Sequence, residues 1–353
     1  MNLVIKAGRK AYDLIQKEGL QADMVHGLAG AAGGPKWIVL AGLDQFLFGQ
    51  WFAERQKPLY LLGSSIGTWR FGSAMATPNP IDGLNAFRDI YFDQHYSSKV
   101  TKAEVTAAAH RLINVLFTKE RIQHILQHPF GRLQITTAKA SALAKSENPF
   151  LLSLSMLNSM VANAISRTAL QMHYQRIKLE DPRDRALLFD DNKFNTAIYD
   201  LTSENFIDAI LASSAIPMAI EPIKAIKGAP KGIYRDGGII DYHMVQKYQC
   251  PEGKVVLIPH FFEQFKQGWF DKHLSYRKPN PKDLENAVLI YPSKKFIQSL
   301  PNNKVPDRKD FTTFSNEDRN HHWGIAYQRS FELGEEFKNL LQSGDISNVV
   351  SLF

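Results

Sequence analysis

A serine set between two glycines raises the question of chemistry. Gly63-Ser64-Ser65-Ile66-Gly67 follows the apolar run 59–62 and leads at once into a helix-like stretch, "IGTWRFGSAMA". A strand that turns sharply into a helix holds a serine hydroxyl exposed at the carboxyl end of a sheet, and flanking glycines let the two elements meet without side-chain clash. Ser65 is therefore a candidate nucleophile, with an ordinary serine-bearing turn as the plain alternative. Acyl transfer also needs a base and backbone donors for the oxyanion that develops on the attacked carbonyl. Upstream, "HGLAGAAGGPKWIVL" puts Gly30, Gly33 and Gly34 between a strand and a helix that begins near Lys36. Bare N–H groups and a helix start make a cradle for a phosphate or an oxyanion. A nucleotide loop is disfavoured: a P-loop needs Gly-Lys-Ser/Thr where this chain has Gly34-Pro35-Lys36-Trp37, and Gly27, Ala29 and Ala32 break the dinucleotide pattern. For the base, Asp236 in "YRDGGIIDYH" precedes Gly237 and Gly238 and reads by itself as a turn. Ser65, Asp236 and His260 also occur in an order that a Ser-His-Asp triad allows.

The elements that must position these residues alternate along the chain. "ADMVHGLAG" precedes "KWIVLAGLDQFLFGQWF", and "PLYLLG" precedes "IGTWRFGSAMA", a strand-turn-helix rhythm that predicts an α/β fold with a mostly parallel sheet covered by helices. The N-terminal stretch "MNLVIKAGRKAYDLIQKEG" reads as an amphipathic first helix. Residues 104–127 carry apolar positions at helical spacing, and "RLQITTAKA" is β-branched enough for a strand. Residues 150–176 form a long apolar stretch rich in Met, Ser and Asn, read as a core helix on the sheet or, alternatively, a mobile flap beside a greasy groove. Further strands are expected in "RALLFD", "NTAIYD", "GIYRDGG", "KVVLIPH" and "NAVLIYP"; 266–319 then reads as irregular surface structure, and a helix over 317–342 follows.

Composition bounds the function. The 353 residues are 44% hydrophobic and 22% charged, which suits a packed core and argues against a disordered chain. The single cysteine, Cys250, allows no disulfide within the chain and fits a reducing compartment, so a cytoplasmic location is expected. A secretory leader and a membrane-spanning run are not expected. The net charge of +7 suits an anionic partner, but the basic residues are spread along the chain rather than clustered as nucleic-acid binding would favour. His243, His321 and His322 lack the spacing of a zinc site, and no metal or cofactor is expected.

Four motifs, taken in order and spacing, resemble the patatin-like lipid acyl hydrolases: the loop with Gly33, Gly34 and Lys36; the elbow 63–67; "ASSAIP", with Ala212, Ser213 and Pro217; and Asp236-Gly237-Gly238. The resemblance covers residues 24–244. It implies a three-layer α/β/α fold in one domain over 1–353, with 266–353 as a C-terminal extension. It also implies a Ser-Asp dyad in which Ser65 attacks an acyl ester, and Asp236 takes its proton and later activates water. The oxyanion hole would comprise Gly33, Gly34 and Lys36, with Gly63 and Gly67 shaping the elbow and Gly237 and Gly238 in support. The expected substrate is a phospholipid or related lipid met by transient contact at a membrane surface. Ala32, Trp37, Tyr242 and Met244 depart from the family pattern, which bears on loop geometry and substrate preference. The rivals are an α/β-hydrolase with a Ser65-Asp236-His260 triad and a noncatalytic lipid-binding protein on the same fold. Few strand-like runs precede Ser65, and a triad leaves "ASSAIP" unexplained; both count against the first rival.

Overall fold

The computed structural model describes residues 1–97, 99–184 and 194–353. The strand expected in "RALLFD", 185–190, lies outside the described residues. One sheet of ten strands runs through the molecule: β1 Leu3–Ala7, β2 Val25–Gly30, β3 Leu59–Ser64, β4 Gly131–Ala140, β5 Tyr174–Glu180, β6 Thr196–Asp200, β7 Tyr234–Asp236, β8 Val255–Pro259, β9 Ala287–Pro292 and β10 Ser351–Leu352. Its order is β10-β1-β9-β8-β2-β3-β4-β5-β6, with β7 paired to β4. Most pairings are parallel; β1/β9, β4/β5 and β4/β7 are antiparallel. The chain leaves β2 toward β3 on one side, and β8 sits on the other, so the sheet changes winding direction at the end of β2. Ligand crevices in such sheets lie outside the carboxyl ends of the strands at this point.

Side-chain alternation divides the core between the two faces. Leu28, Leu61, Leu133 and Ile135 join a large cluster with Ile15, Leu43, Phe71 and Phe337 from the helices Arg9–Glu18, Ala41–Phe46, Ile66–Ala74 and Asn316–Ser343. Ala29, Tyr60 and Leu62 point the other way, toward Met244, Tyr248 and Ile258, and Ala138 and Ala140 meet Leu170 and Ile239. The helix Pro149–Ile165 lies on that second side, so helices flank both faces of the mostly parallel sheet, the α/β/α layering expected.

Several local expectations change. Residues 3–7 are strand β1, alternately buried along an antiparallel pairing with β9, and the first helix starts at Arg9. Residues 104–127 fall in two helices, Lys102–Leu116 and Lys119–Leu126, because Thr118 caps the second through the Arg121 N–H. The stretch 150–176 is not one core helix. It ends at Ile165, and β5 begins at Tyr174. The helix Pro149–Ile165 buries Leu152, Ser155, Ser159, Ala162 and Asn163 and turns most of its large side chains outward, with Phe150 74% and Ile165 79% exposed. Small residues allow close approach to the second layer, and Asn163 Nδ2 donates to Asp271 Oδ1 at 2.7 Å, which fixes that face inward. The strand expected in "NAVLIYP" is β9, and around it the stretch 266–319, read as irregular, also holds the short helices Lys294–Gln298 and Asp310–Thr313; the final helix matches its expected place.

Candidate active site

The site is assembled where β2 and β3 end. β3 passes directly into the helix Ile66–Ala74, and Ser65 at the junction has φ 53° and ψ −125°. A non-glycine residue held there costs about 1–3 kcal/mol and persists when its surroundings over-determine it. They do so here. The Ser65 N–H donates to Ser213 Oγ at 2.9 Å, and Ser213 Oγ donates to the Thr136 carbonyl at 2.7 Å. "ASSAIP" thus braces the elbow from the neighbouring element. A Cβ on Gly67 would lie 2.1 Å from the Gly30 carbonyl oxygen, and one on Gly63 would lie 2.7 Å from the Thr68 backbone, so both glycines are dictated by backbone contact.

Asp236 reaches the same spot from β7. Its N–H donates to the Ala215 carbonyl at 2.9 Å, so the segment that braces Ser65 also holds Asp236. Ser65 Oγ donates to Asp236 Oδ2 at 2.9 Å, and the other carboxylate oxygen accepts the Gly238 N–H at 2.6 Å. Both side chains are buried to 7% exposure. Burial raises the Asp236 carboxyl above its ordinary value, while the Gly238 N–H, Arg308, Ser65 and Lys272 pull it down. A Cβ on Gly237 would strike the Thr136 carbonyl oxygen at 2.1 Å, which explains the glycine after the aspartate. Downstream, Asp241 forms a fully buried, two-pronged bond with Arg176, at 2.6 and 2.7 Å, and so pins the turn that carries Asp236.

The glycine loop closes the third side. Ala32 donates its N–H to the Tyr242 carbonyl at 2.8 Å, which ties the loop to the segment after Asp236. Gly33 and Gly34 line the cavity that holds Ser65 and Asp236. Gly34 has φ 58°, a conformation that favours glycine. Their N–H groups have no hydrogen-bond partner among the described residues. The cavity is about 250 Å³, with a largely apolar wall that includes Trp69, Leu112, Ile216 and Phe311.

Lys36 is placed differently. Its ammonium sits over the Phe261 and Phe262 rings, at 5.8 and 6.0 Å from their centres, and its side chain lines a separate cavity. His260 does not join Ser65 and Asp236: its Nδ1 lies 2.5 Å from the Phe262 carbonyl, its ring packs on His243 and Phe261, and burial lowers its pKa to about 4. Arg308, which sequence reasoning missed, lines the Ser65 cavity with its side chain against Gly34. It comes from the stretch read as irregular surface, and no local motif marks it. Trp269 is likewise a wall residue from that stretch.

The sequence matches no family model and no curated protein. Among solved structures it is similar to VipD from Legionella pneumophila, with a TM-score of 0.40 and 13% identity over 89% of this chain and 67% of that one. The chemistry of the site is therefore read from its own atoms.

Proposed function

We propose that this chain is a serine lipid acyl hydrolase of patatin-like type, acting through a Ser65-Asp236 dyad. The observation that carries this reading is the 2.9 Å bond from Ser65 Oγ to Asp236 Oδ2, made on a strained turn beside the free N–H groups of the Gly33-Gly34 loop. Ser65 Oγ attacks the ester carbonyl as Asp236 takes its proton, and the oxyanion is held by the loop donors. Collapse returns the proton to the leaving alcohol and leaves an acyl-serine. Water, deprotonated by Asp236, attacks the acyl carbonyl; the proton passes back to Ser65 Oγ and the fatty acid departs. A neutral-to-negative change at a buried carbonyl oxygen is what a water-poor pocket with preorganised N–H donors stabilises best. The apolar wall favours an acyl chain over a polar acyl group.

Contact with a lipid surface belongs to the same proposal. The outward face of the helix Pro149–Ile165 is apolar, and the Asn163–Asp271 bond links that helix to the segment that carries Trp269 into the cavity wall. No helix among the described residues is long and apolar enough to cross a membrane, so contact would be from one side.

The test is hydrolysis of 4-nitrophenyl butyrate and of a mixed phospholipid extract, with released fatty acids identified by mass spectrometry. Ser65→Ala should abolish turnover of both, while His260→Gln, corrected for folded fraction, stays within about tenfold of the parent, since no triad histidine is involved. Turnover that survives Ser65→Ala, or is lost in a folded His260→Gln, refutes the dyad.

A further inference from the structure

A second cavity lies off the carboxyl ends of β8 and β9, beyond the wall made by Tyr242, which both cavities share. It measures about 560 Å³, and four lysines line it: Lys36, Lys266, Lys272 and Lys294. The carboxylate in its lining, Glu263, is already bonded to Lys6 at 2.7 Å. His243 also faces the cavity; it accepts the Lys266 N–H at 3.0 Å through Nδ1, and burial holds it well below its ordinary pKa, so it adds no charge near neutrality. None of the four ammoniums has an ion-pair partner among the described residues. The Lys272 ammonium rests over the Tyr242 ring at 4.3 Å, and Lys36 over two phenylalanines, so both are drawn out of water without being neutralised.

Four lysines around one concave site, none within ion-pair distance of a carboxylate among the described residues, are unfavourable alone and favourable around an anion. The site also lies off the carboxyl ends of the parallel strands β8 and β9, beside the place where the sheet changes winding direction. We propose that this lysine-lined cavity is a binding site for a phosphoryl group, carried by a soluble phosphate ester or by a lipid headgroup. Lysines suit such a group as point charges with several donors each, and Phe262 and Ile297 give its organic portion an apolar surface. Binding there does not require Ser65 to be a nucleophile, although Lys272 acts on Asp236 across the shared wall.

Two secondary signs agree. Burial, with repulsion from Arg308 and Lys36 and against the pull of Asp236, lowers Lys272 to about 7. Burial lowers Lys36 to about 8, with Asp307 opposing and Arg308 and Lys304 assisting. An anion favours the charged form of both, so its binding near pH 8 should draw protons from solution.

The experiment is calorimetric titration of the full chain at fixed ionic strength in chloride, with inorganic sulfate, inorganic phosphate, dihexanoyl phosphatidic acid below its micelle concentration, and dihexanoylphosphatidylcholine. Sulfate carries no titrating proton in this range, so its heats in buffers of different ionisation enthalpy report the protein's own uptake. Saturable binding of sulfate and phosphate is expected, with proton uptake at pH 8. Lys266→Ala and Lys294→Ala, checked for unchanged thermal midpoints, should each weaken it about tenfold or more, the loss of one charge-assisted bond. Ser65→Ala should bind as the parent does, even if Ser65 proves to be no nucleophile. Phosphatidic acid binding at least tenfold tighter than phosphate, with phosphatidylcholine weak, identifies a lipid headgroup; equal affinity for phosphate and phosphatidic acid identifies a soluble ester. No saturable binding of any anion, or binding indifferent to both lysine variants, overturns the proposal.

Discussion

Replacing Asp236 by asparagine separates catalysis from stability in a way that follows from the hydrogen bonds around it. The aspartate accepts from Gly238 N–H through Oδ1 at 2.6 Å and from Ser65 Oγ through Oδ2 at 2.9 Å. An asparagine must turn its Oδ1 to the Gly238 N–H, since the opposite rotamer sets two donors face to face. Its Nδ2 then meets Ser65 as a donor where an acceptor stood, and nothing remains to take the serine proton. Loss of a positioned general base costs about 100- to 10,000-fold in rate, which at about 1.36 kcal/mol per decade is about 2.7–5.4 kcal/mol of transition-state stabilisation. Folding should not suffer equally. Burial is the largest influence on the Asp236 carboxyl and raises its pKa, so the charged form is held at a cost that the neutral amide avoids. The backbone bond to Gly238 is kept, so the penalty of about 1–3 kcal/mol for an orphaned buried donor does not arise there. The assay pairs kcat/KM on 4-nitrophenyl butyrate with urea unfolding of the same preparation. The expected result is a loss of at least 100-fold in kcat/KM with a midpoint equal to or above that of the parent. A variant within tenfold of parental activity, or one whose activity falls in step with its stability, refutes the reasoning.

Other outcomes follow from the same geometry. Asp236 works as a base only when ionised, so activity should rise with pH through a carboxyl pKa above its ordinary value; Arg308 lowers that pKa, and Arg308→Ala should move the acid limb of the kcat/KM profile to higher pH. An unchanged limb would remove Arg308 from the site's electrostatics. Asp241→Ala should cost about 3–5 kcal/mol in urea unfolding, because it removes the two-pronged carboxylate partner of a fully buried Arg176; a loss under 1 kcal/mol would show that the pair does not anchor the turn. Leu154→Ser with Leu157→Ser, both on the exposed face of the helix Pro149–Ile165, should slow hydrolysis of anionic vesicles severalfold and leave 4-nitrophenyl butyrate untouched. Equal effects on both substrates would assign the helix a purely structural role.

The elbow was legible in the sequence because its constraints are local. Gly63 and Gly67 are fixed by backbone atoms a few residues away or on the adjoining strand, and an apolar strand followed by a helix is visible as a change of period. Asp236 was reachable only through the order of several motifs, since its bond to Ser65 joins residues 171 positions apart. Lys36 stands beside the loop glycines in sequence, yet the turn after Gly34 sends its side chain to the other cavity. The helix Pro149–Ile165 misled for a different reason: mostly small residues on one face and mostly large apolar ones on the other read by default as the large apolar face turned inward, whereas close packing selected the small face with Leu152. β5 lay hidden behind the same apolar run, and Arg308 had no pattern at all, because a cation placed by tertiary packing leaves no local period.

Covalent capture of the nucleophile tests the central claim most directly. Intact-mass spectrometry after treatment with a fluorophosphonate, followed by peptide mapping, should show one adduct per chain, on Ser65, with labelling slowed at least 100-fold in Asp236→Asn. A folded protein that takes up no adduct, or an adduct on Ser65 that forms just as fast without the carboxylate, would contradict a serine activated by Asp236.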